Sequence, residues 1–463
     1  MTQGHTLGSM KSSIQSGPIG PALSKLGLPI FIGMLCTVSF QLADTYFVGT
    51  LGAHTLSAIG LVFPVTMTLM HVSTGLDIGT MSTVSRRIGA GDKDGARKLV
   101  MDSMWLSITL SLTLTTVGLF TIDPIFEALG ADATTMPYVR QYMQVWYCGL
   151  VITNLPSVFA AAMRANGNAA VPGALQSGAA LFNVLLDPLM IFGVGAWGGM
   201  GIAGAAIATV IARSLYAIAL GVMLARREGL LAFSGYSPAG MLASWRHNLN
   251  ISLPASVGNI LSATTGIITV TLVARHGTSS VAGLAVGMRV EALALISTLS
   301  LAIAMAPFIG QNLGARNYRR IHDALMLGWK ACAAIGLGLW VLAAVAGPSI
   351  AAAFSDQAAV QGVTVSYLVW VGAAFGLSGM VAVGTIALNA MGAPLLATGL
   401  TIVRVGVIYG PLAWLLDRSF GIPGVLGAMV LSQVVIAAVT IFAVHMRLRE
   451  LSGDTGSTAP ALA

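Results

Sequence analysis

Apolar stretches of about 20 or more residues recur twelve times along the chain. They cover about 26–49, 55–80, 99–122, 138–162, 170–194, 201–225, 250–275, 281–310, 324–354, 364–390, 395–416 and 423–446. Each is long enough to cross a bilayer core as a helix. Lipid cannot satisfy open backbone groups, and the stretches lack the alternating pattern of barrel strands. The pattern therefore predicts an all-α integral membrane protein with twelve transmembrane helices. The polar segment 1–25 carries Lys11 and Lys25. The apolar run after it is too long for a signal-peptide core and lacks a convincing cleavage site, so it reads as a retained first helix. The tail after Glu450, LSGDTGSTAPALA, reads as disordered.

The pattern also repeats. A shift of 225 residues lays Leu28-Pro29 on Leu253-Pro254, Gly33 on Gly258, Gly52 on Gly277, Gly89-Ala90 on Gly314-Ala315, and Gly167 on Gly392. A shift of 223 lays Pro188 on Pro411, Gly201 on Gly424, and Gly204-Ala205 on Gly427-Ala428. The matches fall at the same places in the same helices of two six-helix halves. Six is even, so both halves enter the membrane in the same sense, related by a pseudo-twofold axis near its normal. The expected division is a cytoplasmic segment 1–25, an N-lobe 26–225, a linker 226–248, a C-lobe 249–447 and a tail 448–463. Two facing lobes predict a central cavity and alternating access.

Composition agrees with the pattern. Of 463 residues, 56% are hydrophobic and only 8% charged, against roughly a quarter charged in soluble proteins. The net charge of +7 resides in loops. The termini and even-numbered loops hold most Lys and Arg, including Arg86, Arg87, Lys93, Arg97, Lys98, Arg164, Arg226, Arg227, Arg447 and Arg449, while the odd-numbered loops hold Arg140, Arg275 and Arg418. The positive-inside rule then places both termini in the cytoplasm. No aromatic-interleaved basic patch supports a nucleic-acid partner. Cys36, Cys148 and Cys332 lie in apolar runs without a CxxC pair and are expected as core-packed reduced thiols.

Chemistry in so apolar a chain concentrates on carboxylates at membrane depth. Asp44 lies in helix 1 (FQLADTYFVG) and Asp187 in helix 5 (FNVLLDPLMIFG). Each costs about 2.5–3.5 kcal/mol to insert unless protonated, paired or hydrated. Asn183 precedes Asp187 by one helical turn and shares its face. Pro188 removes a backbone donor beside the acid. Thr209 follows the small-residue run GAAIAT of helix 6, which permits close helix approach. Asp44, Asn183, Asp187 and Thr209 are the candidate oxygen ligands of a coupling cation. The duplicated half has no such acids: Asp44 falls on Thr269 and Asp187 on Gly410. Two neighbouring buried carboxylates titrate as a pair and can take up H⁺, or bind Na⁺ as a hard cation with enough oxygens. Both ions remain open.

Other groups carry weaker signals. Asp77 reads as a snorkelling or capping residue near the cytoplasmic end of helix 2, Arg289 and Glu291 as an ion pair or cavity lining, and Arg213 and Arg404 as cavity or interface residues. His71 reads as packing, and His54 and His276 as loop neighbours. Pro29 stands fifteen residues before Asp44, about 22 Å along a helix, where it can bend helix 1. The 22 methionines suit a deformable cavity for varied ligands.

Several strings then carry a resemblance: ADTYFVGTLGAHTLSAIG, STVSRRIGAGDKDGARK, MRANGNAAVP, FNVLLDPLMIFG with GIAGAAIAT, and FIGQNLGARN. In order and spacing the chain, from about 20 to 447, resembles the MATE (multidrug and toxic-compound extrusion) family, and more its DinF-like branch, because helices 7 and 10 hold no carboxylate. The resemblance implies two six-helix lobes in a V and antiport of drug against cation. It also implies a cation site at Asp44, Asn183, Asp187 and Thr209, with Asn154 as a further candidate, and the helix-1 bend at Pro29.

Together these predict a monomeric, multi-pass exporter of the bacterial inner membrane, not an enzyme. It exchanges H⁺ or Na⁺ for amphipathic, often cationic, organic compounds, and needs no cofactor beyond the coupling ion. Asn154 and Glu291 are candidate cavity residues. The rivals are a lipid-linked precursor flippase, disfavoured by twelve helices and few membrane arginines, and a membrane enzyme or channel, for which no HExxH, metal cluster or nucleophile elbow is present.

Overall fold

The computed structural model describes residues 14–195, 198–231, 237 and 239–453. Lys11, residues 232–236 and 238 of the expected linker, and the tail beyond Gly453 lie outside that range. Among the described residues, twelve helices are long and apolar enough to cross a membrane. They are α1 Ile19–Gly49, α2 Ala53–Gly89, α3 Lys93–Ala128, α4 Met136–Ala165, α5 Ala170–Phe192, α6 Gly201–Met223, α7 Met241–Ala274, α8 Thr278–Gly314, α9 Tyr318–Phe354, α10 Ala358–Ala390, α11 Pro394–Phe420 and α12 Ile422–Ser452.

Several helices outrun the apolar stretches that announced them. α1 begins at Ile19 rather than 26, and α2 continues to Gly89 rather than 80. Hydropathy marks where lipid ends, whereas the i→i−4 ladder continues into the polar zone until a cap stops it. The caps are local and repeated. Asp92 accepts from Gly95 N at 2.8 Å to start α3, and Asn317 accepts from Arg320 N at 3.4 Å to start α9. Just beyond α2 and α8, Gly91 (φ +80°) and Arg316 (φ +56°) occupy the same left-handed position, 225 residues apart.

Among the described residues, helical regularity is broken in three places. α6 ends in a π-turn, Leu224–Glu228. α10 tightens to a 3₁₀ turn over Val371–Ala374, and just past it α9 comes so near that a Cβ on Gly336 would lie 2.1 Å from Gly376 N. α11 widens to a π segment, Val403–Tyr409. Periodicity does not reveal these, because apolar residues continue through each.

The chain forms two compact units, Leu28–Ser256 and a second made of the residues up to Gly27 together with Val257 onward. We call them the N unit and the C unit. The divisions fall inside α1 and α7, so residues 239–256, expected as linker and lobe start, pack with the N unit. Trp245 Nε1 donates to Asp102 O at 2.8 Å, and Asn248 Nδ2 donates to Ser103 Oγ at 2.9 Å. In the C unit, Arg320 Nε and Asn312 Nδ2 donate to Ile14 O at 2.9 and 3.2 Å, and Arg320 also bonds Gly17 O.

In the N unit α4 packs on α2, α3 and α6, burying Met143, Trp146, Tyr147 and Leu150 with Phe126 of α3. In the C unit α8, α9 and α10 pack on one another, and Leu284, Tyr367, Phe375 and Leu426 form the core. The cysteines divide: Cys332 is buried, Cys36 half-buried, and Cys148 exposed on the surface of α4. Cys148 therefore departs from the expected core packing. An apolar run tells that a helix meets lipid or protein, not which of its faces meets which.

Candidate functional site

The site is built where α1 lies against α5 in the N unit. A Cβ on Gly173 would come within 2.5 Å of Pro29 O, so only glycine permits this approach. Two turns along α1, Thr37 Oγ1 donates to Gly33 O at 2.9 Å and accepts from Gln176 Nε2 of α5 at 2.9 Å. Asp44 follows Thr37 by seven residues, and Asn183 follows Gln176 by seven. Two helical turns return a side chain to the same face, so the Thr37–Gln176 joint carries the acids along one seam. Pro29 itself lies within a continuous α1.

Asn183 and Asp187 are buried, and Asn183 Nδ2 donates to Asp187 Oδ1 at 3.4 Å. Asp44 and Asp187 lie within electrostatic reach of each other, and both act on the Tyr142 hydroxyl of α4. Three buried acceptors in this group, Asp44 Oδ1, Asn183 Oδ1 and Asp187 Oδ2, accept no hydrogen bond. Each such group costs about 1–3 kcal/mol. The cost is concentrated on oxygens, which suit a proton or a hard cation. Among the described residues no three His, Cys, Asp or Glu side chains gather as metal ligands. Two carboxylates with neutral oxygens are the available donor set.

Thr209 of α6 joins through a cavity of about 200 Å³, whose wall it shares with Asn183, Thr37 and Gln176. Asn154 of α4 lies in a separate polar chain: Ser73 donates to its Oδ1, and its Nδ2 donates to Ser111 Oγ at 2.9 Å. Glu291 belongs to the C unit, where Tyr367 donates its hydroxyl to it and Arg404 lies within electrostatic reach. Arg404 Nη1 donates to Gln433 Oε1 at 3.2 Å. Among the described residues no ion pair joins Glu291 to Arg289, its expected partner. Arg289 is exposed, and it does not meet Glu291 because positions two apart on a helix do not face each other.

Sequence reasoning missed two pairs. Asp77, expected to snorkel or cap, is paired with Arg164 Nη2 of α4 at 2.6 Å, and both line the same cavity. Arg164 had counted as a loop cation, though it stands at the last turn of α4. Asp417 Oδ1 accepts from His276 Nε2 at 2.7 Å, with Arg275 at 3.7 Å. Gln176 offered a legible signal, lying seven residues before Asn183; Arg164 offered none, since its partner is 87 residues away.

The family model MatE matches the chain twice, over residues 29–189 and 254–415. The starts differ by the same 225 residues that relate the halves. An FAD transporter of Shewanella oneidensis is 30% identical over 448 residues, covering 97% of this chain and 99% of that one. The multidrug export protein MepA of Staphylococcus haemolyticus is 25% identical over 451 residues, covering 96% and 97%. Among solved structures, the Vibrio cholerae MATE transporter VcmN in its bent form superposes with TM-score 0.88 at 26% identity, covering 96% of this chain and 99% of that chain. An outward-facing multidrug resistance MATE transporter of the MOP superfamily superposes with TM-score 0.88 at 26% identity, covering 95% and 98%.

Proposed function

We propose that this chain, which belongs to the MATE family, exports amphipathic organic cations by exchange against H⁺ or Na⁺. One observation supports the coupling role above others: Asp44 Oδ1, Asn183 Oδ1 and Asp187 Oδ2 are buried and accept no hydrogen bond, with Asp44 within electrostatic reach of Asp187. A cation arriving there removes repulsion between two carboxylates and supplies the missing partner. Thr209 completes the oxygen set from the cavity wall. The cation drives exchange only if it binds one conformation of the transporter better than the other, and drug the reverse. The names of the MepA relatives support drugs as cargo. The basic-residue bias supports cytoplasmic termini in a bacterial inner membrane. The transporter works as a monomer, without a resident cofactor.

A second cargo is favoured by the Shewanella relative, which is an FAD transporter and matches along nearly the whole chain. A flavin dinucleotide is anionic, so the two cargoes separate cleanly in one assay.

The test is efflux from proteoliposomes, with a cationic dye or FAD inside and either a pH or a Na⁺ gradient imposed. Wild-type protein moves one cargo under one gradient. Asp44→Asn and Asp187→Asn are expected to lower the response to that gradient by about 5–150-fold. Unchanged gradient-driven efflux by both variants would refute the coupling role.

A further inference from the structure

The cavity that reaches Asn183 and Thr209 does not end there. Its wall also includes Asp77, Arg164, Arg213 and Tyr216. One end therefore touches the amide that bonds Asp187, and the other touches an ion pair between α2 and α4 formed by buried Arg164 and half-buried Asp77. We propose that the Asp77–Arg164 pair is a second station on the path of the coupling cation, joined to Asp44 and Asp187 through this cavity. The proposal rests on the coupling function above and names the route by which the ion leaves.

Position supports a route. Asp77 precedes Arg86 and Arg87 at the polar end of α2 by nine and ten residues, about 14 Å of helix. Asp44 and Asp187 lie toward the opposite ends of their helices, five residues before Gly49 and five before Phe192. A cavity of about 200 Å³ has room for several waters, each with a share of about 30 Å³ in the liquid. Its polar walls, Thr37, Gln176, Ser157 and Tyr216, supply the partners such waters need.

Chemistry supports a station rather than a brace. The two side chains share one hydrogen bond, from Arg164 Nη2 to Asp77 Oδ1, and the buried Arg164 Nε makes none. A bidentate fork is the stronger arrangement, and its absence leaves Asp77 Oδ2 available. The charged and titratable groups facing Asp77 are Arg164 from α4 and Tyr216 from α6, with Arg213 of α6 on the same cavity wall. In the proton form, the O–H bond of a protonated Asp187 breaks, the proton crosses on water, and an O–H bond forms on Asp77. Arg164 then loses its counter-charge, so the proton does not remain; it leaves toward the Arg86/Arg87 end and the pair reforms. In the sodium form the same carboxylate oxygen replaces a water of the passing ion. The shared requirement is a small monovalent cation, and the two gradients tell the sources apart.

Internal duplication supplies an independent argument. At the shift of 225, Asp77 falls on Ala302 and Arg164 on Asn389. The half that lacks both coupling acids lacks the ion pair as well. A pair needed only to hold α2 against α4 has no reason to vanish together with the acids.

The test uses the full chain in proteoliposomes and a neutral double variant, D77N/R164Q, which keeps amide hydrogen bonding between the helices. Cation binding to detergent-purified protein, followed by tryptophan fluorescence on adding H⁺ or Na⁺, is expected to match wild type. Exchange under the driving gradient is expected to fall about a hundredfold or more, the lower range of a lost proton-transfer group. Should the double variant not fold, Ala179→Leu fills the cavity wall without touching a charge and is expected to give the same split. Exchange within about twofold of wild type in whichever variant folds overturns the proposal. Asp44→Asn, run beside it, separates the outcomes: its loss of coupling together with normal exchange in D77N/R164Q leaves the coupling function standing and removes only the relay.

Discussion

The N unit and the C unit solve one packing problem with opposite electrostatics. At equivalent positions the N unit has Asp44 where the C unit has Thr269, and Tyr142 where the C unit has Tyr367. In the C unit most polar groups around that position consume one another, although Asn259 Nδ2 and Thr265 Oγ1 of α7 have no hydrogen-bond partner. The Thr269 and Tyr409 hydroxyls are 2.5 Å apart, Tyr367 bonds Glu291, and Arg404 bonds Gln433. In the N unit three acceptor oxygens at the corresponding seam are left over. The scaffold therefore folds without the acids, and the acids are a burden that only one unit carries. Unsatisfied buried acceptors in a native structure call for an explanation, and a functional ion is one.

The comparison breaks most visibly if the acids are removed. Asp44→Asn or Asp187→Asn is expected to lower gradient-driven efflux by about 5–150-fold, the range of a lost coupling free energy. Drug binding without a gradient should persist. Equal transport with and without the acids would erase the distinction between the units.

Transplanting an acid sharpens it. Thr269→Asp in an Asp44→Asn background is expected not to restore exchange, because Tyr409 and Glu291 already occupy that pocket. It should cost about 2.5–3.5 kcal/mol, the insertion cost of a central aspartate, read as a lower unfolding temperature in detergent. Restored exchange would show that either unit can host the site.

The paired tyrosines give a smaller effect. Tyr367→Phe strips Glu291 of its phenol donor and is expected to destabilise by about 1–3 kcal/mol while leaving the ion dependence of exchange alone. Tyr142→Phe, beside Asp44 and Asp187, is expected to shift the cation concentration giving half-maximal exchange. Identical signatures from the two variants would count against the contrast.

The smallest effect lies in the turns. Asp132 before α4 accepts from Thr134 and Thr135, which holds its carboxyl down at about 2. A depressed folded value means that the turn's contribution is present above the ordinary aspartate range near 3.8 and fades as pH falls toward 2. The equivalent turn before α10 uses the Ser355 hydroxyl, which accepts from Gln357 N at 3.2 Å. Hydrogen exchange is expected to rise with acid over residues 131–136 and to stay level over 355–361.

Much of this was legible before folding. Twelve long apolar runs, the shift of 225 and the two membrane-depth aspartates all rest on local composition and spacing, and Asn183 announces itself one turn from Asp187. Thr209 stands on the wall of the cavity that Asn183 also lines. Asn154 is a candidate through the family resemblance and Glu291 through its charge, but their partners Ser73, Ser111 and Tyr367 come from other helices. Asp77 was misjudged for the same reason: nearness to Arg86 in sequence suggested an end-of-helix role, while its partner arrives from α4.

By itself the sequence determined what must be in lipid, how many times the chain crosses it, and which residues are costly there. Those are transfer free energies, properties of a side chain and its solvent, additive along the chain. Only tertiary structure decided which costly residues meet, which oxygens are left unpartnered, and where α1 and α7 pass from one unit to the other. Pairing depends on distances across helices far apart in sequence, and hydropathy carries no information about which helix will be the neighbour.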